Sequence, residues 1–181
     1  MDTSSLRAAA DLVAQRNQID EDLGALVGRP ITVGHVGEWI AWQVFDIALE
    51  GSARAKGIDG LFTSGPLAGR TVNVKWYLKR EGILDVTRHP GLDYYLVMAG
   101  PAGAAVSSRG TSRPWLIETV YLFEAAQVLA ELDARGVAVG TASSVKASQW
   151  TAAQVYPRTH RSPLELTAEQ TDALALFSGQ S

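Results

Sequence analysis

Residues 56–80, KGIDGLFTSGPLAGRTVNVKWYLKR, decide how the chain is read. A short apolar run around Ile58, Leu61 and Phe62 is followed by the Gly/Pro turn SGPLAG and then by the alternating run TVNVKWY. Such a pattern predicts a β-hairpin with strands over about 57–63 and 70–77. With a side-chain period of two, Val72, Val74 and Trp76 share one face, while Thr71, Asn73, Lys75 and Tyr77 share the other. Asp59 on the first strand then lies across from Asn73 or Lys75. A lysine in so apolar a strand is either an edge gatekeeper, half of an internal ion pair with Asp59, or part of a site.

Outward from the hairpin, residues 4–27 carry Leu6, Ala9, Ala10, Val13, Ile19, Leu23 and Leu26 at helical spacing, and Gly28 and Pro30 stop the helix. A second helix is expected over about 36–49, closing at Gly51. The run DYYLVMAG at 93–100 is dense in apolar and aromatic residues, as a buried central strand is. WLIETVYLF reads as a strand or as the entry to the helix EAAQVLAELDARG. VAVGTA reads as a short strand and SVKASQWTAAQVY as helical. TAEQTDALALF is a terminal helix with Thr167 as N-cap and Glu169 or Gln170 near its third position. The order predicts an α/β fold with a mixed central sheet flanked by helices, in one domain over 1–181.

Composition narrows the chemistry. An apolar content of 46% with 19% charged residues fits a globular protein with a real core. No run of 18 apolar residues suggests a membrane span, and the first 23 residues lack a signal-type apolar core, so a cytoplasmic location is expected. The absence of cysteine removes thiolate catalysis and Cys-zinc sites. His35, His89 and His160 have no paired ligand spacing. A net charge of −3 gives no global positive field for nucleic acid. Local basic clusters do occur: Lys75, Lys79 and Arg80; Arg88 and His89; Arg158, His160 and Arg161. Clusters of this size are more often solvated surface than binding sites. Trp115, Trp150 and Tyr156 read as core or docking aromatics.

Glu38 stands apart in the second helix. If the helix continues to residue 49, a 100° step places Phe45, Leu49 and Trp42 close around Glu38, in the middle of an apolar arc. A carboxylate there needs a hydrogen bond, a cation or a metal; otherwise it is a first-turn glutamate that turns to solvent. A helix glutamate, an aspartate on one strand and a lysine on the next can assemble a phosphodiesterase site around a divalent cation. Carboxylates hold Mg²⁺ together with waters, and a lysine stabilises charge on the phosphate or orients the attacking water.

These residues resemble the PD-(D/E)XK nuclease superfamily, with its core of helix, three strands, helix and strand. GHVGEWIA supplies Gly34, Gly37 and Glu38; GIDG supplies Asp59; VNVKW supplies Asn73 and Lys75. The likeness covers residues 34–99. It implies a restriction-endonuclease-like core over 34–142, with helical elaborations over 1–33 and 143–181, and Mg²⁺- or Mn²⁺-dependent hydrolysis of DNA. Glu38 and Asp59 would hold the metal, Lys75 would assist the water, and Asn73 would complete the catalytic set. Lys56, Arg70, Lys79 and Arg80 would face the nucleic acid. Many relatives work as dimers, so a homodimer is expected on the same footing. Asn73 stands where the family has an acid. An amide oxygen still coordinates but brings no charge, which leaves two readings: Glu38 substitutes for the missing acid, or the fold serves as an inactive module binding nucleic acid or a protein partner.

Overall fold

The structure is a computed structural model that describes residues 3–50, 57–103, 113–157 and 162–179. The described elements run α1 (Thr3–Val27), α2 (Val33–Val44), β1 (Ile47–Leu49), β2 (Gly60–Phe62), β3 (Thr71–Tyr77), β4 (Ile83–Leu84), β5 (Tyr94–Ala99), β6 (Thr119–Glu124), α3 (Ala125–Ala134), β7 (Ser143–Ser144), α4 (Ala147–Ala153), β8 (Gln154–Tyr156) and α5 (Ala168–Ala175). Six strands form one mixed sheet in the order β1-β2-β3-β5-β6-β8, and β4 pairs with β7 in a separate ribbon. Within the sheet β3 and β5 run parallel; their register sets Val72 beside Tyr94 and Tyr77 beside Ala99.

The alternation of β3 and β5 builds two cores, one on each face of the sheet. Val72, Val74 and Trp76 join Leu96 and Met98 under Val36, Ile40, Ala41 and Val44 of α2 and Leu174 of α5. Tyr95, Val97 and Ala99 join Tyr121 and Phe123 against Val128 and Leu132 of α3 and Trp150 of α4. Trp150 meets both Tyr121 and Phe123 edge-on, at 4.7 and 4.9 Å between ring centroids. Trp115 packs edge-on against Trp76 at 5.7 Å, and Tyr156 is buried, so these aromatics are core residues. The molecule is a three-layer α/β/α fold, and β5 is the buried central strand expected from DYYLVMAG.

Three local features depart from the sequence pattern. The second helix ends at Val44, because Phe45 caps it and Asp46 turns left-handed at φ 52°. The carbonyl of Asp46 accepts from the backbone N–H and hydroxyl of Thr63, and its carboxylate accepts from the Ser64 hydroxyl at 2.7 Å. The chain therefore leaves α2 directly into β1, which pairs antiparallel with β2. VAVGTA, residues 137–142, is irregular and the ribbon strand β7 follows it, while SVKASQWTAAQVY divides into α4 and β8. WLIETVYLF resolves as the strand β6, which runs straight into α3. At the C-terminal end the expected cap is present: the Thr167 hydroxyl accepts from Gln170 N at 3.2 Å.

α1 is helical as expected, yet its apolar stripe does not face a core. Residues 4–19 are exposed throughout, and only near Leu23, Gly24 and Val27 does the helix approach the rest of the fold. Among the described residues no helix is long and apolar enough to cross a membrane.

Candidate functional site

The hairpin places Asp59 at a fork. β2 and β3 pair antiparallel with Gly60 opposite Val72, and one step further Asp59 N donates to Val72 O at 2.9 Å. Beyond that point the strands part. The next outward-facing N–H of β3, that of Val74, is taken by the Asp59 carboxylate, with Oδ2 accepting at 2.7 Å. A side chain thus replaces the missing strand neighbour, which fixes the carboxylate against the edge of β3. Gly60 is required for this approach, because a Cβ there would stand 2.5 Å from Ala48 O and 2.7 Å from Ile47 Cγ2. Alanine at 60 would push β1 away from β2.

Glu38 comes to the same edge from α2. The buried side of this helix is Val36, Gly37, Ile40, Ala41 and Val44. Glu38 therefore sits at the rim of the apolar arc rather than in its middle. Two neighbours expected around it are elsewhere: Leu49 lies on β1 and not on the helix, and Trp42 is half-exposed rather than inward-facing. The close seat of α2 comes from Gly37, where a Cβ would approach Trp76 Cβ to 3.1 Å. The carboxylate of Glu38 is satisfied by Arg29, whose Nη1 donates to Oε2 at 2.6 Å. Arg29 belongs to the loop between α1 and α2, and no sequence pattern singles it out. Nothing in a Gly-Arg-Pro loop nine positions before the glutamate announces the contact.

The electrostatics bring these groups together. Burial is the largest influence on Asp59 and pushes its pKa up; the Val74 N–H opposes this, the Glu38 charge adds to it, and Lys75 and Arg29 oppose it. The balance leaves Asp59 above its ordinary value, a carboxylate short of positive charge. Lys75, half-buried on β3, reaches the same field from the opposite face of the sheet. Asn73 is buried; its Nδ2 donates to Gly57 O at 3.1 Å, while its Oδ1 has no hydrogen-bond partner. An orphaned buried acceptor normally costs about 1–3 kcal/mol.

The carboxylates of Asp59 and Glu38 are oxygen donors of the type a hard divalent cation takes, whereas Asn73 lies on the face of β3 turned away from α2. Among the described residues no three acidic or histidine side chains gather into a group that could hold a metal ion.

The expected nucleic-acid contacts are spread along β3 rather than gathered. Arg70 precedes the strand and pairs with Asp93 at 2.9 Å. Lys79 lies beyond its other end, 3.4 Å from Glu81, which Arg113 also approaches at 3.3 Å. Arg80 has no ion-pair partner among the described residues, and its backbone bridges to Ala102. The seven-residue strand β3, about 23 Å long, lies between Arg70 and Lys79. Lys56 and the Arg158, His160 and Arg161 cluster lie outside the described residues. Arg88 is paired with Asp133. A hollow of about 440 Å³ adjoins Arg29, lined by His35, Trp39, Trp42 and Leu49 among others. Neither this hollow nor two others, one beside α3 and α4 and one beside Ser64 and Pro66, is lined by Glu38, Asp59 or Lys75.

No family model matches the chain, and a comparison with curated proteins finds no significant match.

Proposed function

We propose that the chain is a Mg²⁺- or Mn²⁺-dependent nuclease of the PD-(D/E)XK type that hydrolyses phosphodiester bonds in DNA, acting in the cytoplasm. The observation that carries this reading is the fork: Asp59 is bound to the free edge of β3, in a field set by Glu38, Lys75 and Arg29. The order α2, β1, β2, β3 and then a parallel β5 supports a restriction-endonuclease-like core. It departs from the family pattern between β3 and β5, where residues 78–93 carry the short strand β4 and no helix.

In this reading Asp59 and Glu38 would hold the cation, and Asn73, on the same face of β3 as Lys75, would help position the attacking water. A divalent cation at this position supplies Lewis acidity, offsetting charge on the phosphoryl oxygens and making water more acidic. Lys75 stabilises that charge and orients the attacking water. Arg29 holds Glu38 in the resting site and is placed to meet a phosphate when the pair opens. The rings of Trp39 and Trp42 provide apolar faces on which a nucleobase can stack beside the cleavage point.

The test is cleavage of single- and double-stranded DNA with Mg²⁺ or Mn²⁺, compared with Asp59→Asn and Lys75→Met proteins. Metal-dependent cleavage lost in both variants supports the proposal, and cleavage that survives both overturns it. The Arg29–Glu38 pair favours a second reading, because it satisfies Glu38 without a cation: an inactive module of the same fold that binds nucleic acid. That module gives no turnover with either metal and salt-sensitive DNA binding.

A further inference from the structure

Of the eight large apolar side chains left exposed among the described residues, five lie on α1: Leu6 (54%), Leu12 (65%), Val13 (57%), Ile19 (57%) and Leu26 (64%). Residues 4–19 of this helix are exposed at every position. In proteins most helical stability comes from packing an apolar face, and this much exposed apolar surface marks an interaction site. The spacing identifies the kind of partner. Ala9, Leu12, Arg16, Ile19, Leu23 and Leu26 follow one another at intervals of 3, 4, 3, 4 and 3, the repeat of a coiled-coil seam. The seam runs about 26 Å along the helix.

We propose that α1 pairs antiparallel with α1 of a second copy of this chain. Charge sets the direction. Arg7, Asp11 and Arg16 give the first half of the helix a net charge of +1, and Asp20, Glu21 and Asp22 give the second half −3. Parallel pairing stacks the acidic halves on each other, whereas antiparallel pairing sets each basic half against an acidic one. The two-fold axis falls between Arg16 and Ile19, giving layers of Ala9 with the second copy's Leu26, Leu12 with Leu23, and Arg16 with Ile19. Arg16, which lies 3.5 Å from Asp20 of its own helix, then also faces the second copy's Asp20 and Asp22. The exposed first four turns of each copy are covered by the helix end that docks on the other copy's fold. This inference does not depend on the nuclease reading.

The absence of cysteine in the chain makes the test direct. Light scattering at tens of micromolar should give twice the 19.4 kDa chain mass, falling to the single-chain mass in Ile19→Glu. Ala9→Cys and Leu26→Cys proteins, both altered at exposed positions, are then oxidised alone and mixed. Cross-linking in the mixture several-fold above that of either protein alone supports antiparallel pairing. Either protein cross-linking best with itself, or a wild-type chain that stays single at these concentrations, overturns it.

Discussion

Replacing Asp59 with asparagine or with alanine separates the two duties of its carboxylate. As a charge, Asp59 is held where burial and the neighbouring Glu38 oppose ionisation. As an acceptor, it takes the Val74 N–H at 2.7 Å, which has no strand neighbour. Asparagine keeps the acceptor and removes the charge; alanine removes both. An N–H left without a partner costs roughly 1–3 kcal/mol when buried, and this bond is only partly buried, so about 1–2 kcal/mol is expected. For a domain of this size each kcal/mol moves the melting midpoint by about 2–4 °C. Asp59→Asn should therefore melt at or above the wild-type temperature, and Asp59→Ala about 2–8 °C below Asp59→Asn. Differential scanning calorimetry at neutral pH without divalent cations measures both. An alanine variant as stable as the asparagine variant would show that the carboxylate does not hold the edge of β3.

Further expectations follow from the same geometry. Because the folded pKa of Asp59 is raised, its contribution favours the folded state below the ordinary value of 3.8 and is lost as pH rises through the folded value; a pH series of melts should show wild type losing ground to Asp59→Asn across that interval. Asp133 has the opposite sign: hydrogen bonding and charge from Arg88 hold it below 3.8, so its contribution is present above that value and is lost as pH falls through the lowered one; Arg88→Ala should melt slightly below wild type at neutral pH, and the gap should close in acid. Arg29→Ala frees Glu38 from its 2.6 Å partner and should raise Mn²⁺ affinity about threefold to tenfold by calorimetric titration, on the order of 1 kcal/mol for a partly exposed pair. Gly60→Ala drives a methyl to 2.5 Å from Ala48 O and should cost about 1–3 kcal/mol in urea unfolding.

The middle of the fold is legible in the sequence because burial there leaves a periodic signature. TVNVKWY alternates because only its Val72, Val74 and Trp76 face is packed into a core, and DYYLVMAG is apolar throughout because both its faces are covered. The Gly/Pro turn between the hairpin strands likewise announces itself, with Gly65 and Gly69 both at positive φ. What escapes the sequence depends on contacts distant along the chain. The end of α2 is set by Asp46 in a left-handed conformation held by Thr63 and Ser64, some 17 residues on. β1, with three residues, is too short to show a period. The same early stop moves Glu38 from the centre of the expected apolar arc to its rim. The position of Asp59 across from Asn73 can be read from the hairpin alone, but the Arg29 contact cannot, since a loop residue carries no period. The stripe of α1 marks a helix correctly, while its exposure within a single chain is visible only in the fold.

Whether Glu38 and Asp59 share a divalent cation decides the proposed function. Titrating Mn²⁺ into the wild-type chain, with the free ion followed by electron paramagnetic resonance, addresses this without requiring a DNA substrate. One bound Mn²⁺ per chain is expected, displaced by excess Mg²⁺ and lost in Asp59→Asn and Glu38→Gln. Equal Mn²⁺ binding in wild type and both variants, or no binding by the wild type at millimolar Mn²⁺, would contradict it.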